Sequence, residues 1–178
     1  MRILGIDPGL ANVGFGVIEH AGGQSRLIAS GCIVTEASVP LADRLKQIHD
    51  SLVDVIALHS PEAASIEQLF FCANVKTAIS VAQGRGVCIL ATANAGIAFH
   101  EYTPLQIKLA ITGSGKAGKA QVQKMVKALL NLREAPVSDH AADALAAALC
   151  HAHSWKFTRL AEAAAVQSRP GPARLRMR

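Results

Sequence analysis

The sequence predicts an α/β fold, a mixed five-stranded sheet with helices packed on both faces. Three observations carry that prediction. The chain opens on three alternating, β-rich segments joined by short turns. Two further strand-like segments follow, each preceded by a long helical stretch. The remainder reads as helix by the spacing of its apolar residues.

Taken in order, residues 2–7 (RILGID) are β-rich, and Pro8-Gly9 breaks the strand. Residues 12–20 place Val13, Phe15 and Val17 at alternate positions, the mark of a strand. After the Ala21-Gly22-Gly23 turn, residues 25–35 form a third strand, so that the first three make an antiparallel meander. A helix is expected from Pro40 to His59, because Leu41, Leu45, Ile48, Leu52, Val55 and Ile56 recur at helical spacing before Pro61 stops it. Residues 62–68 (EAASIEQ) give the fourth strand, 74–96 a long Ala-rich helix despite its glycines, and 97–102 the fifth strand. Helices are then expected at about 104–111, 119–132 and 139–154.

The length of 178 residues suits one domain. The reading places it at residues 1–155, with 156–178 a basic, flexible C-terminal tail. No apolar run reaches the ~18 residues that a spanning helix needs. The first residues, MRILGIDPG, are a strand and a turn rather than a secretory leader, so a cytoplasmic protein with no membrane association is expected. Cys32, Cys72, Cys88 and Cys150 form no CxxC pair, which argues against a structural zinc site or a disulfide framework. Cys150, His151 and His153 point in different directions on a helix and read as structural. Net charge is +5 with a pI near 9.3. The excess is clustered: Arg169, Arg174, Arg176 and Arg178 lie in the last ten residues, and Lys108, Lys116, Lys119, Lys124 and Lys127 form a second group. A basic surface of this kind favours polyanions.

Acids appear where apolar residues are expected. Asp7 ends the first strand, and Glu67 ends the fourth after the apolar run from Ala63 to Ile66. A lone charge at a buried strand end is costly to desolvate. In SDHAADALAAAL, His140 and Asp143 are three residues apart on one helix face, and Asp139 and Asp143 four apart. Each has a structural reading as well. Asp7 before Pro8-Gly9 suits a turn, and Ser138 and Asp139 suit a helix N-terminus. Together, several carboxylates at one sheet edge would repel unless a cation binds between them, and hard oxygen ligands suit magnesium or manganese.

Two motifs are set aside. GSGKAGKA (113–120) approaches the phosphate-binding GxxxxGK[ST] pattern, but Ala120 replaces the required hydroxyl and a helix precedes it. The opening GIDPGLANVGFGV is similar to the first phosphate loop of actin-like ATPases, which need a second lobe absent at this length.

The ordered set GIDPGL…GFG, IEQLFF, QGRG and DHAADALAAALCHAH, running from residue 1 to about 155, resembles the RuvC family of bacterial Holliday junction resolvases. The resemblance implies an RNase H-like fold and a catalytic, metal-binding tetrad of Asp7, Glu67, His140 and Asp143. Many family members carry an acid where this chain has His140. The spacing to Asp143 favours His140 over Asp139, as metal ligand or proton donor. It further implies two magnesium ions per subunit, with manganese as a substitute, and hydrolysis leaving a 5′ phosphate and a 3′ hydroxyl. Phe70 matches a family position that stacks on bases, with Phe71 read as core. Lys108 and Lys119 match DNA-binding positions, and Ala73 stands where relatives carry a lysine. The implied substrate is Holliday junction DNA, cut by a homodimer with the RuvA–RuvB branch-migration complex as partner. A non-catalytic four-way-junction binder, a related nuclease acting on RNA, and a small ATPase remain as alternative readings.

Overall fold

The computed structural model describes residues 1–68, 75–134, 136 and 138–165, the side chains of 75–77 and 156–165 excepted. The expected elements are all present. Strands β1 (Arg2–Asp7), β2 (Asn12–Ala21) and β3 (Gln24–Val34) come first. Helix α1 (Leu41–His59), strand β4 (Ala63–Glu67), helix α2 (Val75–Asn94) and strand β5 (Ala98–Tyr102) follow. Helices α3 (Pro104–Thr112), α4 (Lys119–Leu129) and α5 (Asp139–Ala165) close the chain.

The sheet order is β3-β2-β1-β4-β5. The meander pairs antiparallel, whereas β1–β4 and β4–β5 are parallel, so the sheet is mixed as predicted. The parallel pairing places Ile6 opposite Ile66, which makes the strand-end residues Asp7 and Glu67 the next neighbours.

Each sheet face has its own core. Leu4, Ile6, Val13, Val17, Ala64 and Ile66 face α1 and α2, meeting Ile48, Leu52, Ile56 and Cys88. On the other face Ile3 and Ile18 meet Leu145, Leu149 and Cys150 of α5, with Ile107, Ile111, Val122 and Val126 of α3 and α4. Cys150 and His151 are buried, in keeping with a structural role.

Helix α5 lies very close to the sheet because three glycines leave room for it. A Cβ on Gly5 would lie 1.9 Å from the Ala144 carbonyl oxygen, and one on Gly14 would lie 2.0 Å from that of His140. One on Gly16 would come 2.5 Å from Leu145 Cδ2. Bare backbone at these points presses the N-terminal half of α5 onto β1 and β2. On the opposite face, a Cβ on Gly84 would lie 2.2 Å from the Gly9 carbonyl oxygen, so α2 is seated against the β1–β2 loop. Gly84 inside α2 is therefore a packing device rather than a break.

Two helix ends differ from the prediction. Helix α4 stops at Leu129 rather than 132, because Asn131 adopts a left-handed conformation with φ of 50°, which asparagine tolerates. Helix α5 runs to Ala165 rather than 154, since the segment after Trp155 is rich in strong helix formers and meets no proline before Pro170. Residues 166–178 lie outside the described residues. Among the described residues no helix is long and apolar enough to cross a membrane.

Candidate active site

The ends of β1 and β4 bring Asp7 and Glu67 to one edge of the sheet. The first turn of α5 brings His140 and Asp143 to the same place. Ser138 caps that helix, its hydroxyl accepting the Ala141 N–H at 3.1 Å. His140 Nδ1 lies 2.7 Å from Asp7 Oδ2, which joins helix to strand directly. Asp7 is only 20% exposed.

The electrostatics mark this edge as strained by like charge. Burial, opposed by the His140 hydrogen bond and supported by the Asp143 charge, holds the Asp7 carboxyl above its ordinary range. Burial also raises Glu67, and the charges of Asp7 and Asp143 push it the same way. The Asp143 charge thus makes Asp7 and Glu67 harder to ionise, and Asp7 does the same to Glu67.

Lys119 lies 3.1 Å from Asp143 Oδ2 and 3.3 Å from Asp139 Oδ2. Burial works against its charge, but hydrogen bonds and charge from Asp143 and Asp139 outweigh that and raise its pKa. Lys108 and Lys119 line a cleft together with Glu67, Asp143, Pro104 and Val122. Helix α3 carries Lys108 there through a capping box. The Thr103 hydroxyl accepts the Gln106 backbone N–H, the Gln106 side-chain Oε1 accepts the Thr103 N–H, and Pro104 occupies the first turn.

The structure therefore brings together six of the seven predicted site residues: Asp7, Glu67, His140, Asp143, Lys108 and Lys119. Phe70, with Phe71 and Ala73, lies outside the described residues. Asp139 lies at the exposed side of the cluster. Gln123 Nε2 donates to its Oδ1 at 2.9 Å, Lys119 holds its other oxygen, and it is 68% exposed. Sequence reading left out the glycines that press α5 onto the sheet. Their signal was present: Gly5, Gly14 and Gly16 fall on one face of neighbouring strands.

The family model for RuvC, described as crossover junction endodeoxyribonuclease RuvC, matches residues 3–151. The chain belongs to the RuvC family. The RuvC of Pelotomaculum thermopropionicum is 49% identical over 159 residues, covering 89% of this chain and 97% of that protein. The RuvC of Halothermothrix orenii is 51% identical over 159 residues, covering 89% and 96%. Among solved structures, Thermus thermophilus RuvC in complex with a Holliday junction substrate superposes with a TM-score of 0.85 at 36% identity, covering 89% of this chain and 96% of that one. Fold and activity class follow from membership: the fold is RNase H-like and the chain is an endodeoxyribonuclease of crossover junctions.

The RuvC nucleases depend on divalent metal, and the residues at this edge fit such an ion. Among the described residues no three His, Cys, Asp or Glu side chains converge closely enough to enclose one as they stand. The chemistry of the donor set nevertheless calls for a cation. Asp7 and Glu67 are both driven toward protonation, and the Lys119 ammonium already rests on Asp143. A hard divalent cation would relieve the same repulsion through oxygen ligands. His140 suits the set as well. Ligating imidazoles are commonly oriented by a carboxylate on the other ring nitrogen, and Asp7 stands in that position at His140 Nδ1, so Nε2 would be the nitrogen left to bind.

Proposed function

We propose that this chain resolves Holliday junctions by paired symmetric nicks, each a hydrolysis leaving a 5′ phosphate and a 3′ hydroxyl. One observation carries the reading: in a RuvC-family chain, Asp7, Glu67, His140 and Asp143 share one sheet edge beside the Lys108–Lys119 cleft. Asp7, Glu67, His140 and Asp143 would hold two magnesium ions, with manganese as a substitute, whose charge acidifies a water and offsets the leaving oxygen. The chain's own residues do the rest. Rigid strand ends fix Asp7 and Glu67, Asp7 orients the His140 imidazole, and the cleft lysines hold backbone phosphates. With Nδ1 held by Asp7, His140 presents Nε2 to metal or to a proton in transfer. Phe70 is the residue we assign to stacking on bases near the junction centre.

A junction needs two matched cuts, and a two-fold homodimer supplies two sites in that relation. The outer face of α2 supports the dimer. Ile79 and Leu90 are 55% and 53% exposed there, and Ala82 and Gly86 between them would allow a second helix to approach closely. We assign the nuclease domain to residues 1–155, and to the basic 156–178 segment added nonspecific affinity. The RuvA–RuvB branch-migration complex is the proposed partner, and the cytoplasm the proposed compartment.

A synthetic four-way junction with one labelled arm tests this reading. Wild type and Glu67→Gln are compared with magnesium and with manganese. Paired symmetric nicks by wild type, with tight binding but no nicks by the variant, are expected. Binding without cutting by both proteins would instead favour a non-catalytic junction binder.

A further inference from the structure

The carboxylate cluster is flanked by two grooves. One is the cleft that holds Lys108 and Lys119. The other opens on the α1–α2 side and is lined by Gly9, Leu10, Asn12, Arg44, Ser80 and His140. His140 thus stands between the metal-binding edge and this second groove. A nucleic acid strand whose reacting phosphate lies over Asp7 and Glu67 must continue in both directions. In the direction of the lysines its charge is met twice. In the other direction Arg44 is the one permanent cation among the residues lining the groove.

Arg44 is also held in place. Its Nε donates to the Thr35 hydroxyl at 2.9 Å. Thr35, only 4% exposed, donates that hydroxyl to the Leu10 carbonyl at 2.5 Å, and its N–H reaches the Ala11 carbonyl at 2.9 Å. One edge of the guanidinium is therefore spent on fixing the β1–β2 loop. Among the described residues the terminal amino groups take no other partner, and they form a forked donor suited to two oxygens of one phosphate. The loop itself is seated by the close approach of Gly84 to Gly9.

We propose that Arg44, braced by Thr35, holds a backbone phosphate of the DNA strand on the side of the catalytic edge opposite Lys108 and Lys119. The assignment rests on the endonuclease reading given above. It makes Arg44 a binding residue with a second, local duty in fixing the loop that follows Asp7.

The two duties separate by salt dependence. Each phosphate contact to a duplex arm contributes about 0.9 to the slope of log affinity against log salt. Binding of a labelled four-way junction and of a plain duplex is measured against salt in chelator, so that no cutting occurs. Wild type, Arg44→Gln, Arg44→Lys and Thr35→Val are compared at matched concentration, with a thermal melt of each. Arg44→Gln is expected to bind more weakly and to lose about one phosphate's worth of slope, about 0.9. Arg44→Lys restores the charge and most of the slope. Thr35→Val melts at lower temperature but keeps the wild-type slope. A wild-type slope in Arg44→Gln, or an Arg44→Lys slope as shallow as that of Arg44→Gln, overturns the assignment and leaves Arg44 a loop clamp. Loss of preference for the junction over duplex in wild type, with the Arg44 slope difference intact, overturns the junction reading alone.

Discussion

His140 Nδ1 lies 2.7 Å from Asp7 Oδ2, a contact that spans 133 positions of sequence and ties the last helix to the first strand. Asp139, one residue earlier on the same helix, is mostly exposed and is held instead by Gln123 and Lys119. The contact with Asp7 is what favours His140 over Asp139 as the proposed fourth member of the site. His140 shares the carboxylate edge, and Asp139 fastens α5 to α4.

Substitution at the two positions should therefore have unequal effects. His140→Ala is expected to lower the rate of junction cleavage about 10²–10⁴-fold, the usual worth of a positioned proton-transfer group. Asp139→Asn, at an exposed position held by a lysine and an amide, should stay within a few-fold of wild type. Single-turnover cleavage at saturating protein measures both. A larger loss in Asp139→Asn than in His140→Ala would move the assignment to Asp139.

Glu67 is raised by burial and by the charges of Asp7 and Asp143 above its ordinary value of 4.5. The folded state then binds more protons than the unfolded state once pH passes that value. Without metal, this group's contribution to stability falls as pH rises from 4.5 through the folded value. Removing the charge should accordingly stabilise the metal-free protein. Glu67→Gln is expected to melt at a higher temperature than wild type in chelator at neutral pH. Added magnesium should stabilise wild type through binding and do so less in the variant, reversing or closing the gap. A variant that melts lower in chelator would show that Glu67 makes a net favourable contact there.

The three sheet glycines carry a different prediction. A methyl group on Gly14 would collide with the backbone carbonyl of His140 itself, at 2.0 Å. Gly14→Ala should therefore lift the start of α5 from the sheet, costing roughly 1–3 kcal/mol. Cleavage should fall by far more than the loss of folded protein explains, because His140 and Asp143 move with the helix. A Gly23→Ala control probes a turn glycine with open space around it but a φ of +79°. That variant should lose stability modestly and keep its cleavage rate per folded molecule.

Much of this arrangement was legible in the sequence, and the reasons differ by element. Helix α1 was readable from the regular period of its one buried face, and β1 and β4 from short apolar runs buried on both faces. Asp7 and Glu67 stood out because a charge at the end of an apolar run has few inexpensive explanations. The different partners of Asp139 and His140 were not readable, since Gln123 and Lys119 reach α5 only through the packing of α4. Arg44 was likewise hidden. In sequence it is one polar position on an amphipathic helix, and only the fold places it across a groove from His140. The end of α5 was missed because a proline-free, alanine-rich run carries no local stop signal.

The buried network around His151 supplies the last prediction, away from the site. His151 is 3% exposed, its Nδ1 lies 2.8 Å from the Tyr102 hydroxyl, and its ring stacks on His100 at 4.2 Å. Burial, with the nearby His100 charge, brings its pKa down from 6.5 to about 4. The unfolded chain therefore takes up a proton between those values that the folded chain refuses. The contribution is fully present above 6.5 and is lost as pH falls toward 4, the opposite sense to Glu67. The window corresponds to stability on the order of 3 kcal/mol. Replacing His151 by Gln removes the titration and retains a polar group near Tyr102. Denaturant titrations of wild type and His151→Gln at pH 7 and pH 4.5 measure the difference. Wild type should lose more stability than the variant on acidification. An equal loss in both would place the acid sensitivity elsewhere in the fold.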